Sequence, residues 1–250
     1  MIRAVLCDLS GVLYVGDRAV PGAQDALISL RAAGVGVKFI TNVTRLPRRR
    51  IVQQLLRLGF DVDTEDVFTP ANVARAFVTR EGLIPHLLIH PNLQEELGDL
   101  SGSSPNAVLL GDAGHAFTYE NLNTAFRILI TGAPLLVMGT DRYYREPDGL
   151  SLDAGPFAKA LSYAAGAPVQ VLGKPSPAFF RLAAATMDVD LDEVVMLGDD
   201  YEVDVRGALD AGLQAILVRT GKYRDGDEFR VGARGARVCA DIGAATDLIL

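Results

Sequence analysis

Continuous apolar runs alternate with amphipathic ones along this chain. That alternation constrains its fold more than any other feature. "IRAVLCD" (2–8) has the near-unbroken apolar character of a strand buried on both faces of a parallel sheet. "PGAQDALISLRAAG" (21–34) has helical periodicity, opening on a Pro and stopping at a Gly. The pattern then repeats. "VGVKFIT" (35–41) reads as a strand, "LPRRRIVQQLLRLGF" (46–60) as a basic amphipathic helix and "PANVARAFVTREG" (70–82) as a further helix. Short strands are predicted at "HLLI" (86–89), "AVLL" (107–110) and "PLLVM" (134–138), with a helix at "YENLNTAFRILITG" (119–132). After a helix at "PFAKALSYAAG" (156–166), strands at "VQVLG" (169–173), "EVVMLGD" (193–199) and "QAILV" (214–218) alternate with helices at 176–187 and 204–212. A repeated βα pattern predicts an α/β fold with a Rossmann-like, doubly wound parallel sheet. The stretch 83–168 has βα units of its own; by composition it is either an insert or more of the same sheet.

In an open α/β sheet, ligands bind beyond the carboxyl ends of the strands. Three predicted strands here end on residues capable of chemistry: Asp8, Thr41-Asn42 and Asp199-Asp200, and a fourth is followed at once by Lys174. Each is ordinary alone. "DLSG" is also a strand-to-loop turn, "TN" a helix cap, "GKPSP" a loop before a helix, and "GDD" a turn. Their common placement and order fit phosphoryl transfer. Asp8 would attack phosphorus. Asp8 and Asp199 offer hard oxygen ligands suited to Mg²⁺, which offsets the repulsion between two anions. Asp200 and Asp204, four apart, would share a face of a helix starting near 200 and hold the metal's waters. Thr41 offers a hydroxyl, the backbone after it an N–H, and Lys174 a positive charge to phosphate and to Asp8.

"DLSGVLY", "TN", "GKPSP" and "GDDYEVD" resemble, as a set, the four motifs of the haloacid dehalogenase-like hydrolases. The likeness covers nearly the whole chain. "GDAGHAFTYENLNTAF", "RYYREPDGLSLDAGPFAKALSYA" and "RTGKYRDGDE" resemble the branch with an inserted αβ cap, which includes the NagD-type and pyridoxal phosphate phosphatases. Within it, the group of phospholysine phosphohistidine inorganic pyrophosphate phosphatases and their sister proteins is most similar. The resemblance implies a hydrolase core over 1–82 and 169–250, and a smaller cap domain over 83–168 that selects substrates and commonly pairs into a homodimer. It implies that Asp8 is the nucleophile and a Mg²⁺ ligand, Ser10 a ligand through its carbonyl, and Asp199 the third protein ligand. Leu9, Ser10, Thr41, Asn42 and Lys174 would bind phosphate, and Asp200 and Asp204 would support the site.

Ser10 departs from the family's commoner Asp, which protonates the leaving group and activates water. Such acid–base help is typically worth about 10²–10⁴ in rate, and a serine hydroxyl titrates too high to supply it. Three outcomes follow. The substrates have leaving groups that need little help, such as pyrophosphate, acyl phosphates and P–N compounds. Another acid serves, with His90, Asp112 and His115 as candidates. Or the protein binds phosphate compounds with little turnover. The first is the expectation. A receiver-like phospho-acceptor would need about half this length, and a dehalogenase would need an apolar pocket rather than an acid cluster.

The net charge of −7 argues against non-specific nucleic-acid binding, which needs a basic face; Arg48, Arg49 and Arg50 form a basic patch that reads first as the solvated start of a helix, with a contact to phosphate or nucleic acid as the alternative. Tyr143 and Tyr144 read first as packing or interface residues, with the lining of a substrate pocket as the alternative, and "GKYRDGDEF" (221–229) as either a surface turn or a loop supporting the site. Cys7 and Cys239 lack metal-ligand spacing, and alternation turns Cys7 away from Asp8's side. No apolar run reaches the ~18 residues of a membrane span, and the start lacks a signal-peptide pattern. A cytoplasmic setting with no membrane partner is expected.

Overall fold

The computed structural model describes residues 1–146, 149–232 and 234–250. The chain forms two compact units, one of residues 1–41, 48–68 and 174–250, the other of 42–47 and 69–173. The first is built on a six-stranded sheet in the order Arg237–Cys239, Gln214–Val218, Val194–Gly198, Ala4–Asp8, Gly36–Ile40, Val67–Phe68. Every neighbouring pair is parallel. The chain winds outward from Ala4–Asp8 in one direction, then returns to its other side, so the switch point falls between Ala4–Asp8 and Val194–Gly198. This is the doubly wound α/β sheet expected from the βα alternation. Both central strands are buried at all five positions, as their unbroken apolar runs require.

The second unit has its own parallel sheet in the order Val169–Val171, Leu135–Val137, Ala107–Leu110, Pro85–Leu88. Helices Tyr119–Leu129 and Ala154–Ala165 pack on it through Leu110, Ala125, Leu129, Val137, Ala158 and Leu161. An antiparallel hairpin pairs Tyr143–Glu146 with Gly149–Leu152. The boundaries of this unit differ from the 83–168 read from the sequence. Besides Asn42–Pro47, it takes in everything from Thr69, so the helix Pro70–Arg80 belongs to it, and it runs through Gly173.

Helices observed at Arg48–Arg57 and Pro177–Ala185 match the periodicity of the sequence. The stretch 204–212 differs. A π-helical turn at Tyr201–Val205 precedes a short α-helix at Arg206–Ala211. Among the described residues no helix is long and apolar enough to cross a membrane. Both cysteines are free thiols.

Candidate active site

Asp8 ends the strand on one side of the switch point, and Asp199 follows the strand on the other. Gly198 lets the chain fold back after that second strand: a Cβ there would fall 2.2 Å from Asp204 Cβ. The π-helical turn then places Asp204 over the strand ends. One carboxylate oxygen from each of Asp8, Asp199 and Asp204 lies within 4.8 Å of the others. All three residues are buried.

Lys174, itself only 3 % exposed, is the cation set among them. Its Nζ donates to Asp8 Oδ1 at 2.6 Å and to Asp204 Oδ1 at 2.7 Å. Burial works to lower its pKa, but Asp204 and Asp8 together outweigh that and raise it, so the ammonium stays charged. Asp199 is pushed up to about 8 by burial first, then by the charges of Asp8 and Asp204. Three buried carboxylates around one ammonium leave an excess of negative charge that a hard divalent cation would offset. The all-oxygen donor set is of the kind Mg²⁺ takes.

A loop from the far side of the chain completes the arrangement. The Lys222 backbone N–H donates to Asp199 Oδ2 at 2.7 Å. Thr220 Oγ1 donates to the Gly11 carbonyl. Gly11 and Gly221 both have positive φ, and a Cβ on either would fall within about 2 Å of Asp199 Oδ2. Only glycine fits in both places. Of the two readings of "GKYRDGDEF", its first residues thus support the site. Gly221 and Lys222 act through backbone atoms and Thr220 through its hydroxyl, so the stretch "RTGKYRDGDE" points to them by resemblance and not by side-chain chemistry.

The loop after Asp8 is a tight turn. The Leu9 carbonyl accepts the N–H of Leu13 at 2.9 Å, and Gly11 N–H donates to the Tyr14 carbonyl at 2.7 Å. Leu9 is buried, while Ser10 is exposed. Tyr14, at the end of the same turn, is pushed up to about 12 by burial and by Asp8. Its phenol holds its proton too tightly to act as an efficient acid. Thr41 is buried just past the strand beside Asp8, and its N–H donates to the Phe68 carbonyl at 3.3 Å. Asn42 belongs to the second unit, where a Cβ on Gly173 would fall 2.8 Å from Asn42 Oδ1.

Asp200 and Asp204 are not two residues on one helical face. Asp200 stands outside the π-helical turn, with extended backbone. Its Oδ1 caps the N–H groups of Glu202 and Val203. Its own N–H donates to Asp204 Oδ2 at 3.2 Å. Asp200 therefore shapes the turn that delivers Asp204.

The three candidates for a replacement acid all lie in the second unit, and two of them are already engaged. His90 Nδ1 accepts the Asn92 N–H and caps a short turn. Asp112 is buried, ion-paired with Arg45, and accepts the Gly114 N–H at 3.0 Å. His115 is exposed. Cys7 is buried, its thiol directed at the Asp8 carbonyl rather than the carboxylate, and burial pushes its pKa up. Arg49 and Arg50 are exposed at the start of their helix.

Residues 5–100 match the family described as haloacid dehalogenase-like hydrolase, and residues 171–245 the one described as HAD-hyrolase-like. The chain is 42 % identical over 255 residues to the phospholysine phosphohistidine inorganic pyrophosphate phosphatase of Rattus norvegicus, covering all of this chain and 94 % of that one. The chain belongs to the haloacid dehalogenase-like hydrolases. It is equally similar, at 42 % over 249 residues, to the haloacid dehalogenase-like hydrolase domain-containing protein 2 of Bos taurus, covering 100 % of this chain and 96 % of that one. Among solved structures, a 4-nitrophenylphosphatase from Thermotoga maritima superposes with a TM-score of 0.91 at 26 % identity, covering 100 % and 98 % of the two chains. NagD from E. coli K-12 superposes with 0.88 at 23 %, covering 97 % of each, which shows the NagD-type fold. Within the haloacid dehalogenase-like hydrolases this chain is a phosphatase.

Proposed function

We propose that this phosphatase works through a phosphorylated Asp8, with Mg²⁺, on small compounds whose leaving group needs no strong acid. The observation that carries the reading is the buried Asp8–Lys174–Asp204 arrangement beside Asp199, with an exposed serine at position 10. Asp8, Asp199 and the Ser10 carbonyl would hold the metal. Asp204 is bound through both oxygens, one to Lys174 and one to the Asp200 N–H, and so serves to orient Lys174. When bound, Mg²⁺ supplies positive charge between the phosphate and the carboxylates.

The chain's own groups divide the work. A carboxylate oxygen of Asp8 forms a bond to phosphorus as the bond to the leaving group breaks, and that group departs with the electron pair. Lys174 keeps the Asp8 carboxylate oriented and adds charge toward the phosphoryl oxygens, together with the Thr41 hydroxyl. Water then attacks phosphorus, releasing inorganic phosphate and restoring Asp8. Ser10 cannot deliver a proton to an alkoxide efficiently. From pyrophosphate the leaving group is phosphate, a stabilised anion; from an acyl phosphate it is a carboxylate; and from a P–N compound already protonated on nitrogen it is a neutral amine. The names of the 42 % identical relatives, phospholysine phosphohistidine inorganic pyrophosphate phosphatases, describe P–N and P–O–P substrates of this kind and support the reading.

The second reading, a phosphate-binding regulator with little turnover, is favoured by Ser10 alone. One series separates the two: phosphate release from glucose 6-phosphate, pyrophosphate, acetyl phosphate and phosphoramidate, with and without Mg²⁺, with Asp8→Asn as the blank. Turnover of the last three, dependent on Mg²⁺ and on Asp8, is expected. Faster release from the sugar phosphate overturns the leaving-group argument. Tight phosphate binding with no turnover favours the regulator.

A further inference from the structure

Thr220 does more than close its loop onto the site. Its Oγ1 donates to the Gly11 carbonyl, 209 positions earlier in the chain. Gly11 is held at its other end as well, where its N–H donates to the Tyr14 carbonyl at 2.7 Å. Its φ is +96°, and glycine has no Cβ to limit it. Neighbours must therefore set its orientation. Asp199 Oδ2 covers one side, where a Cβ would fall 1.8 Å from it. Gly221 packs in so closely that a Cβ there would fall 2.5 Å from Gly11 Cα.

The Ser10–Gly11 peptide is trans and planar, so the Ser10 carbonyl faces opposite to the Gly11 N–H. That N–H points at Tyr14, which directs the Ser10 carbonyl away from the turn. Rotating Gly11 would rotate that carbonyl with it.

Thr220 holds Gly11 from a firm base. On one side, the Arg219 N–H donates to the Cys239 carbonyl at 3.0 Å and ties the chain to the edge strand. On the other, the Thr220 carbonyl accepts the Tyr223 N–H at 3.3 Å. The turn beyond is closed by Glu228, whose Oε2 accepts the Tyr223 hydroxyl at 2.6 Å and the Gly226 N–H at 2.9 Å. All of these groups lie in the first unit.

We propose that Thr220 is a positioning residue: through the Gly11 carbonyl, its hydroxyl sets the direction of the Ser10 carbonyl. That carbonyl is one of the groups the proposed function gives to Mg²⁺, and the effect on the metal rests on that reading. The tripeptide Thr220–Lys222 then serves two ligands, Ser10 through the Thr220 hydroxyl and Asp199 through the Lys222 N–H. Outer groups that orient a metal's ligands are typically worth about 10–100-fold in affinity.

Two measurements on the full chain test this in Thr220→Val, which keeps the branched shape without the hydroxyl, and Thr220→Ser, which keeps the hydroxyl. The first is amide hydrogen exchange by NMR without metal. The Gly11 N–H should exchange about tenfold faster or more in Thr220→Val, and within a few-fold of wild type in Thr220→Ser, while the Lys222 N–H stays protected. The second is calorimetric titration with Mg²⁺. Its Kd should rise about tenfold or more in Thr220→Val and return to within a few-fold of wild type in Thr220→Ser. Unchanged Gly11 exchange in Thr220→Val overturns the positioning role. So does faster exchange at Lys222 with Gly11 unmoved, which would assign the hydroxyl to its own loop. Faster Gly11 exchange with an unchanged Kd overturns the link to the metal. No Mg²⁺ binding by the wild type overturns the metal reading itself, and the exchange rates still decide the positioning role. Thr220→Ala removes the hydroxyl with a smaller side chain, and carries the same expectations if Thr220→Val does not fold.

Discussion

The backbone N–H of Lys222 donates to Asp199 Oδ2 at 2.7 Å, with Gly221 pressed against both Asp199 and Gly11 of the loop after Asp8. A carboxylate of the buried acid cluster, which the proposed function makes a metal ligand, is thus aimed by a loop more than twenty positions later in the chain. Gly221→Ala places a Cβ 2.0 Å from that oxygen at a φ of +60°, so Asp199 must move. A displacement of about 1 Å in such a site costs about 10² in rate. A loss of that size is expected, with a higher Mg²⁺ requirement. Lys222→Ala keeps the N–H and should retain activity within a few-fold. Phosphate release against Mg²⁺ concentration checks both; equal losses would place the loop's role in the Lys222 side chain.

Asp8→Asn should abolish turnover and stabilise the metal-free protein. Asp199 is held up to about 8 by burial and by the charges of Asp8 and Asp204. Removing the Asp8 charge relieves one part of that penalty, while an amide oxygen still accepts from Lys174. A gain of about 1 kcal/mol raises the melting temperature by about 2–4 °C in a chain of this size. Mg²⁺ should stabilise the wild type, and Asp8→Asn much less. Thermal melts at pH 7.5 with EDTA and with Mg²⁺ read both effects. A lower metal-free melting point for the variant would mean that the Lys174 ion pair outweighs the repulsion.

Lys174→Met leaves Asp8 and Asp204 buried without their shared cation. Breaking a buried pair by removing one partner costs about 3–5 kcal/mol. Asp204→Asn added to Lys174→Met should recover part of this, because it removes one stranded charge. Denaturant unfolding of the single and double variants measures the coupling. A double variant less stable than the single one would refute it.

The legible parts of the sequence were those where one residue's chemistry is enough. Asp8, Thr41, Lys174 and Asp199 all fall at strand ends predicted from apolar runs, and the structure gathers Asp8, Lys174 and Asp199 within one unit. Asp200 was harder to read. Its spacing from Asp204 suits an α-helix, and nothing in "DDYEVD" announces a π-helical turn with Asp200 as its cap. Thr220 and Lys222 fall within "RTGKYRDGDE", whose resemblance gives them no individual role, because they act through a single hydroxyl and a backbone N–H. The hairpin Tyr143–Glu146 with Gly149–Leu152 escaped periodicity altogether, since both strands are short and largely polar or exposed. That the second unit takes in Asn42–Pro47 and resumes at Thr69 is also hidden in the sequence. "PANVARAF" has the pattern of any amphipathic helix, whichever sheet it serves.

Asp153 gives the second unit a pH dependence of its own. It caps the helix Ala154–Ala165, its carboxylate accepting the Ala154 N–H at 2.6 Å. Burial raises its pKa, the Ala154 bond and Arg45 lower it, and Asp141 and Asp112 raise it further, to about 6. An unfolded Asp titrates at about 3.9. Between about pH 4 and pH 6 the folded chain therefore keeps a proton that the unfolded chain has released. Folding stability from this group falls as pH rises through that window, and above it the penalty is fully present. Asn also caps a helix N-terminus well and never ionises. Asp153→Asn should thus match the wild type near pH 4 and become the more stable protein by pH 7. The difference between the two melting curves, taken every half unit from pH 4 to 8, isolates this group from the others that titrate there. A difference that stays flat, or grows in the wild type's favour, would show that the Ala154 hydrogen bond outweighs the burial of the charge.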